Sequence, residues 1–287
     1  MRKNKIRRFR YFEEKFFKVL MIISLIAIPL LTLSMITTIF IRGHKVLTWE
    51  MVSSLPGGGF YIGKEGGFLN AIVGSIYITG ASALLGLLVS IPVVFYINIW
   101  LKETSRFAKW VRTIFDVLFG VPSIVYGAFG FTIMIYFGLK ASLGGGIIAI
   151  TLLIIPIFIR SMDEVAVRVP KDILTAAYSL GATKTEVMFV VLRQIAPGIA
   201  TATLLSIGRA IGDAAAVMFT AGFSDNIPTS FSQAAATLPL SIFFQLGAPQ
   251  AAVQDRAYAA AVVLTVIVLV LSISGRIISS KFSKHKV

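Results

Sequence analysis

The chain has 287 residues, 56% of them hydrophobic and only 14% charged, with a formal net charge of +14. That balance excludes an ordinary soluble domain, and the absence of cysteine excludes disulfide, thiol-redox and thiolate-metal chemistry. Two histidines, His44 and His285, are too few and too far apart for a metal cluster, so no metal site is expected.

Apolar runs of 18 residues or more predict an all-α, polytopic membrane protein with six transmembrane helices. The basic segment MRKNKIRRFRYFEEK, residues 1–15, is expected to be a cytoplasmic tail. The run at 16–41 is too long for the apolar part of a cleavable signal, and is read as a retained first span. A glycine-rich extracytoplasmic loop, 42–67, follows. Its LPGGGFYIGKEGG lacks the Lys-Ser/Thr ending of a phosphate-cradling loop. The remaining five spans, within 68–279, are expected near 69–101, 111–137, 143–162, 197–222 and 257–279, with a cytoplasmic tail at 280–287. Pro29, Pro92 and Pro122 should kink the first three spans.

Lysine and arginine set the orientation. The segments 1–18, 102–112, 160–196 and the tail from Arg276 hold 21 of them, and the alternate segments hold 5. Both termini are therefore expected in the cytoplasm, in an inner membrane. The basic excess is accounted for by topology and anionic lipid, so no nucleic-acid partner is expected. The chain contains no nucleotide-binding motif. Any ATP and magnesium would be bound by a separate subunit, and no cofactor is expected in this chain.

The cytoplasmic loop 160–196 carries its own local signals. Pro170 and Asp172 mark a helix start, and Ile173, Leu174, Ala177 and Leu180 recur at helical spacing. Gly181 ends that helix, and Thr183 with Glu186 forms a capping-box pattern for the next. A short helix, a glycine turn and a second helix running into span five are expected. The short helix is read either as a docking element or as a plain amphipathic connector.

Span five poses the main question. Arg209 lies ~18 Å into a span that starts near Pro197, close to the midplane, where a charge costs roughly 2.5–3.5 kcal/mol on insertion scales. If the helix continues, Asp213 falls on the same face at i+4, and Thr203, Ser206 and Thr220 extend a polar stripe. Gly208 and Gly212 form a small-xxx-small pair about 100° away, suited to helix packing. Two readings stay open. The pair is a structural salt bridge, or Arg209 grips an oxyanion while Asp213 accepts a hydrogen bond from a protonated phosphate oxygen. Arg160, at the inner end of span four, is read either as a snorkelling anchor or as a second anion-pathway residue. Asp116 is expected to pair with Arg112 at i−4 and is given no role.

The loop resembles the Glu-Ala-Ala loop of ABC-importer permeases. Thr175-Ala176-Ala177, three residues, then Gly181 fit that motif, with Thr175 in place of Glu. Gly120-Val121-Pro122-Ser123-Ile124-Val125-Tyr126-Gly127, Arg160 with Val169-Pro170, and Arg209-Ala210-Ile211-Gly212-Asp213 are similar to motifs of phosphate-importer permeases. Phe219-Thr220-Ala221 and Leu238-Pro239-Leu240-Ser241-Ile242-Phe243 resemble the A-type branch (PstA), while Ala216-Val217-Met218 resembles the C-type sister.

The resemblance implies a type I-like permease core and an importer for inorganic phosphate. It implies a PstC-like sister permease, two copies of a PstB-like ABC ATPase and an extracytoplasmic PstS-like phosphate-binding protein. In such an assembly the chain is not itself an enzyme, and the 171–186 loop contacts the ATPase through Pro170, Asp172, Thr175, Ala176, Ala177, Leu180, Gly181 and Thr183. A C-type subunit, a permease for another oxyanion and a stand-alone secondary transporter are the alternatives.

Overall fold

The structure is a computed structural model; it describes residues 2–57, 65–102 and 104–283, with the side chains of 2–10, of Glu65 and of 278–283 left aside. Eleven α-helices are formed among these residues: α1 (Arg2–Val46), α2 (Trp49–Ser53), α3 (Leu69–Phe95), α4 (Arg106–Gly120), α5 (Ser123–Tyr136), α6 (Leu143–Ala166), α7 (Lys171–Ser179), α8 (Lys184–Gly212), α9 (Ala215–Thr220), α10 (Leu238–Leu246) and α11 (Ala251–Ser283). A two-residue antiparallel ladder joins β1 (Pro56–Gly57) to β2 (Glu65–Gly66) in the loop after α1. Five helices are long and apolar enough to cross a membrane, and six spans result if the bent pair α4–α5 is one of them.

α6 is the axis of the bundle. Its apolar stretch is 72% buried, against none of that of α1. Ile150, Ile154 and Phe158 are fully covered by residues of α3, α8 and α9. A second cluster joins Met51, Phe68, Ala71, Leu238, Ala259 and Ala260 from α2, α3, α10 and α11. α1 leans on α11, where Gly43 brings its backbone against Tyr258 and Val262. Small residues make these approaches possible. At Gly74 a side chain would collide with the carbonyl of Ala236, and at Gly127 it would lie 2.8 Å from the carbonyl of Ala216. The close contact of α5 with α9 thus accounts for the glycine that ends GVPSIVYG.

Three expectations about the spans are corrected. The third, 111–137, is not one kinked helix. α4 and α5 meet at 98° across Val121 and Pro122. Proline disfavours the helical region for the residue before it, and here both residues are extended, at φ/ψ −69/131 and −59/141. Two extended residues break the helix where a lone proline within it would bend it. Pro122 is accordingly an elbow residue. The elbow is tied by the Tyr126 hydroxyl, which donates to the Leu118 carbonyl at 2.8 Å.

The helix of the fifth span starts at the expected capping box and is corrected at its far end. α8 begins at Lys184 and runs through Pro197 to Gly212, and Asp213 is extended at φ/ψ −83/116. The short α9 follows as a separate element. The expected loop 223–256 also contains α10, capped by Thr237 with proline in its first turn. The strand of chain before α10 is stitched to the start of α6. The Leu143 and Gly144 N–H groups donate to the Gln233 and Phe231 carbonyls at 2.7 and 2.8 Å, satisfying donors that a helix N-terminus leaves unpaired.

Proline acts differently inside α3. The helix passes Pro92 and closes with a π-helical turn, Tyr96–Trp100, in which the Tyr96 N–H bonds the Pro92 carbonyl.

Candidate functional site

α4 carries Arg112, Asp116 and Phe119 along one face at spacings of four and three residues. α6 presents Arg160 and Asp163 to that face, so the two helices meet with their charges in opposite order. Asp116 pairs with Arg160 at 3.1 Å. Arg112 pairs with Asp163, donating Nε to Oδ2 at 2.7 Å and Nη2 to Oδ1 at 3.0 Å. The i,i+4 pair expected between Arg112 and Asp116 does not form, because each finds a partner on α6.

The two ion pairs differ in environment. Asn98, in the π-helical turn, donates to Asp163 at 2.7 Å and accepts from Arg112 at 3.1 Å. Asp163 is 16% exposed and is held from two elements besides its own. Arg160 and Asp116 are 49% and 58% exposed. An ion pair that wet contributes about 0–1 kcal/mol, so the first pair is a structural clasp and the second is weak.

Arg209, near the end of α8, reaches the same place. Its guanidinium carbon lies 6.0 Å from the centre of the Phe119 ring, and that of Arg160 lies 4.9 Å from it. The two guanidiniums are thus closer than the sum of these distances. Aromatic stacking of this kind is worth ~0.5–1 kcal/mol at an exposed site, enough to orient two like charges but not to neutralise them. Arg209 forms no ion pair among the described residues. The cluster therefore holds two cations and one carboxylate on an open face, beside an apolar cavity of about 430 Å³ lined by Phe115, Leu118, Tyr126 and Pro156. It offers planar donor forks to an anion and no metal-ligand set; no group of three or more metal-ligating side chains occurs among the described residues.

The expected polar stripe is not brought together. Asp213 does not pair with Arg209; its carboxylate accepts the Ala216 N–H at 2.7 Å and caps α9. Since α8 has ended, the i+4 relation no longer places the two side chains on one helical face. Ser206 is fully buried with its hydroxyl unpartnered. Thr220 is fully buried and donates to Ala216, and Thr203 donates to Ile199. Both hydroxyls are spent on their own helix backbone. Gly208 and Gly212 would meet nothing within 4 Å if given a side chain, so within this chain they are not a packing seam.

The loop between α6 and α8 follows its local signals. α7 begins after Pro170 with Asp172 in its first turn, and Leu180 ends it. Gly181 has φ +81, the left-handed conformation that closes a helix. Thr183 and Glu186 form the reciprocal capping box, with the Glu186 carboxylate accepting the Thr183 N–H at 2.7 Å. α7 buries no residue; Thr175 and Ala176 are exposed, and Leu180 is 89% exposed. Ala177 and Leu174 pack on the main core. The Thr175 hydroxyl turns back to the Lys171 carbonyl at 3.0 Å. Lys184 donates to the Trp100 carbonyl at 3.3 Å, linking the start of α8 to the π-helical turn.

Phe119, Asp116, Asp163 and Asn98 were not among the expected site residues. The available signal was the pairing of an Arg-x-x-x-Asp on α4 with an Arg-x-x-Asp on α6, which local spacing alone does not connect.

Residues 99–285 match the family model described as "Binding-protein-dependent transport system inner membrane component". The chain is 32% identical over 224 residues to the phosphate transport system permease protein PstA of Haemophilus influenzae, covering 78% of each chain. It is 35% identical over 224 residues to the PstA protein of Yersinia pestis, covering 77% of this chain and 74% of that one. Among solved structures it is similar in fold to a chain of a bacterial alginate ABC transporter in complex with a pentasaccharide-bound periplasmic protein. The TM-score is 0.67 at 16% identity, over 94% of this chain and 95% of that one.

Proposed function

Because the chain belongs to the family of binding-protein-dependent transport system inner membrane components, we propose that it is the A-type permease subunit of an ATP-driven importer of inorganic phosphate. It is a multi-pass membrane subunit and not an enzyme. An ATPase and a binding protein complete the transporter: in this reading a PstC-like sister permease, two PstB-like ATPase subunits that bind ATP and magnesium, and a PstS-like extracytoplasmic receptor. Both termini and the 160–196 loop face the cytoplasm, which agrees with the lysine and arginine distribution.

Phosphate passes the face that carries Arg209 and Arg160. The observation that carries this reading is the convergence of these two arginines, from different helices, over one exposed ring, with a single carboxylate paired to Arg160 and none to Arg209 among the described residues. A desolvated phosphate needs several donors at once, and two guanidinium forks supply them. Ser206, Thr203, Thr220 and Asp213 take a structural place in this pathway: their polar atoms, the unpartnered Ser206 hydroxyl apart, are occupied within α8 and α9. Gly208 and Gly212 lie open, and the sister permease is the helix donor they suit.

α7 is the coupling element. Pro170 and Asp172 start it, Gly181 and Thr183 bound it, and Thr175, Ala176 and Leu180 are its free surface toward the ATPase. Motion delivered there passes through α8, which continues without interruption from the capping box to Arg209.

The test is uptake of radiolabelled phosphate into proteoliposomes containing the co-expressed complex. Arg209→Ala and Arg160→Ala should each lower ATP-driven uptake by at least tenfold while the complex still co-purifies. Wild-type uptake by the assembled Arg209→Ala complex, or uptake that proceeds without ATP, would overturn the proposal.

A further inference from the structure

Asp116 stands out once the two arginines are placed on an anion path. A carboxylate beside such a path repels the cargo, yet this one reaches across from α4 to Arg160 at 3.1 Å. It is the only carboxylate paired with either arginine among the described residues. It is also unlike its neighbour Arg112–Asp163. That pair is ringed by Asn98 and three-fifths or more shielded on each side chain, whereas Asp116 and Arg160 are each about half open.

We propose that Asp116 is a release carboxylate. It stands in for the oxyanion at Arg160 when the path is empty, yields when phosphate arrives, and returns to expel phosphate on the cytoplasmic side. The inference rests on the reading of Arg160 and Arg209 as pathway residues.

The geometry suits an exchange of partners. Arg160 lies 4.9 Å from the centre of the Phe119 ring, and its guanidinium carries five N–H donors, so an anion that replaces Asp116 need not displace the ring contact. α4 does not have to leave α6 when Asp116 lets go, since Arg112 and Asp163 hold the two helices one turn away. Arg209 has no such stand-in, so the site keeps one uncompensated cation to attract the next anion. A transporter must bind its cargo weakly enough to let it go, and an internal competitor for one of two forks sets that limit without removing either fork.

The experiment uses the complete importer in proteoliposomes, with the ATPase side and ATP in the lumen and graded unlabelled phosphate preloaded there. Half-inhibition of uptake by luminal phosphate reports how readily phosphate leaves on that side. Asp116→Asn should lower the half-inhibiting concentration about fivefold, the ratio that corresponds to about 1 kcal/mol. Asp116→Glu, which restores a carboxylate, should bring it back to within about twofold of the wild type. An unchanged or higher half-inhibiting concentration in assembled Asp116→Asn would overturn the inference. So would failure of both Asp116→Asn and Asp116→Ser to assemble, because the pair would then be a structural requirement instead of a displaceable contact. Arg209→Ala and Arg160→Ala are run beside them. If these two transport normally, the pathway reading itself has failed; if they are inactive and Asp116→Asn behaves as wild type, only the release role has.

Discussion

Arg112→Met tests the clasp between α4 and α6. The substitution keeps the length of the side chain and removes its charge. Asp163, 16% exposed, would lose the donors at 2.7 and 3.0 Å and keep only Asn98 at 2.7 Å. Stranding one member of a fully buried pair costs roughly 3–5 kcal/mol. Arg112 is 30% exposed and Asn98 remains, so the expected cost here is about 2–3 kcal/mol. Asp163→Leu should cost less, about 1–2 kcal/mol, because Arg112 is the wetter partner and its guanidinium can turn to water. The double variant Arg112→Met/Asp163→Leu replaces both charges by apolar groups and should lie within about 1 kcal/mol of the wild type. Thermal unfolding of the detergent-purified protein, followed by tryptophan fluorescence, reads these changes. For a chain of this size a loss of 2–3 kcal/mol corresponds to a fall of roughly 3–5 °C in Tm. A double variant at least as unstable as the sum of the singles would show no coupling between the two side chains, and would refute the clasp.

Two further outcomes are expected. Asp213→Ala should shift Tm down by about 2 °C through loss of an α9 cap worth ~1 kcal/mol, while Asp213→Asn, which still offers an oxygen to Ala216, should change Tm by less than about 1 °C. Gly181→Ala should weaken co-purification of the ATPase, because at φ +81 a side chain costs ~1–2 kcal/mol of backbone strain although the space around it is open; Gly181→Asn, which tolerates that conformation better, should retain more ATPase than Gly181→Ala.

The features read correctly from the sequence are those with local causes. The loop between α6 and α8 is the clearest case: Pro170, Gly181 and the Thr183–Glu186 box each act within one turn, and each end lies where its own chemistry puts it. The apolar runs of α1, α3, α6, α8 and α11 were equally plain. The end of α8 was not. Residues 214–222 read AAAVMFTAG, as apolar and helix-favouring as what precedes them, so neither hydropathy nor propensity marks the break at Asp213. The capping bond that fixes it shows only in three dimensions, and with it went the supposed Arg209–Asp213 pair. α10 was hidden for another reason: at nine residues it is too short to register as a span, and its helical state depends on Thr237 and on burial against α3 and α11. The charges on α4 and α6 lie far apart in sequence, so a local i,i+4 rule assigned Arg112 the wrong partner.

The elbow at Val121–Pro122 has a mechanical consequence. One arm, α4, is fastened to α6 by charge; the other, α5, is fastened to α9 by backbone contact at Gly127. Only two extended residues lie between the arms, so any change of angle between α4 and α5 falls on them. Those residues form a pivot whose stiffness comes from the pyrrolidine ring and from one strut, the Tyr126 hydroxyl on the Leu118 carbonyl. Phe119 sits one residue from that strut, so a change of the elbow angle would tilt the ring under both arginines. A displacement between the helices would thus be felt as a change of angle at the ring that both arginines approach.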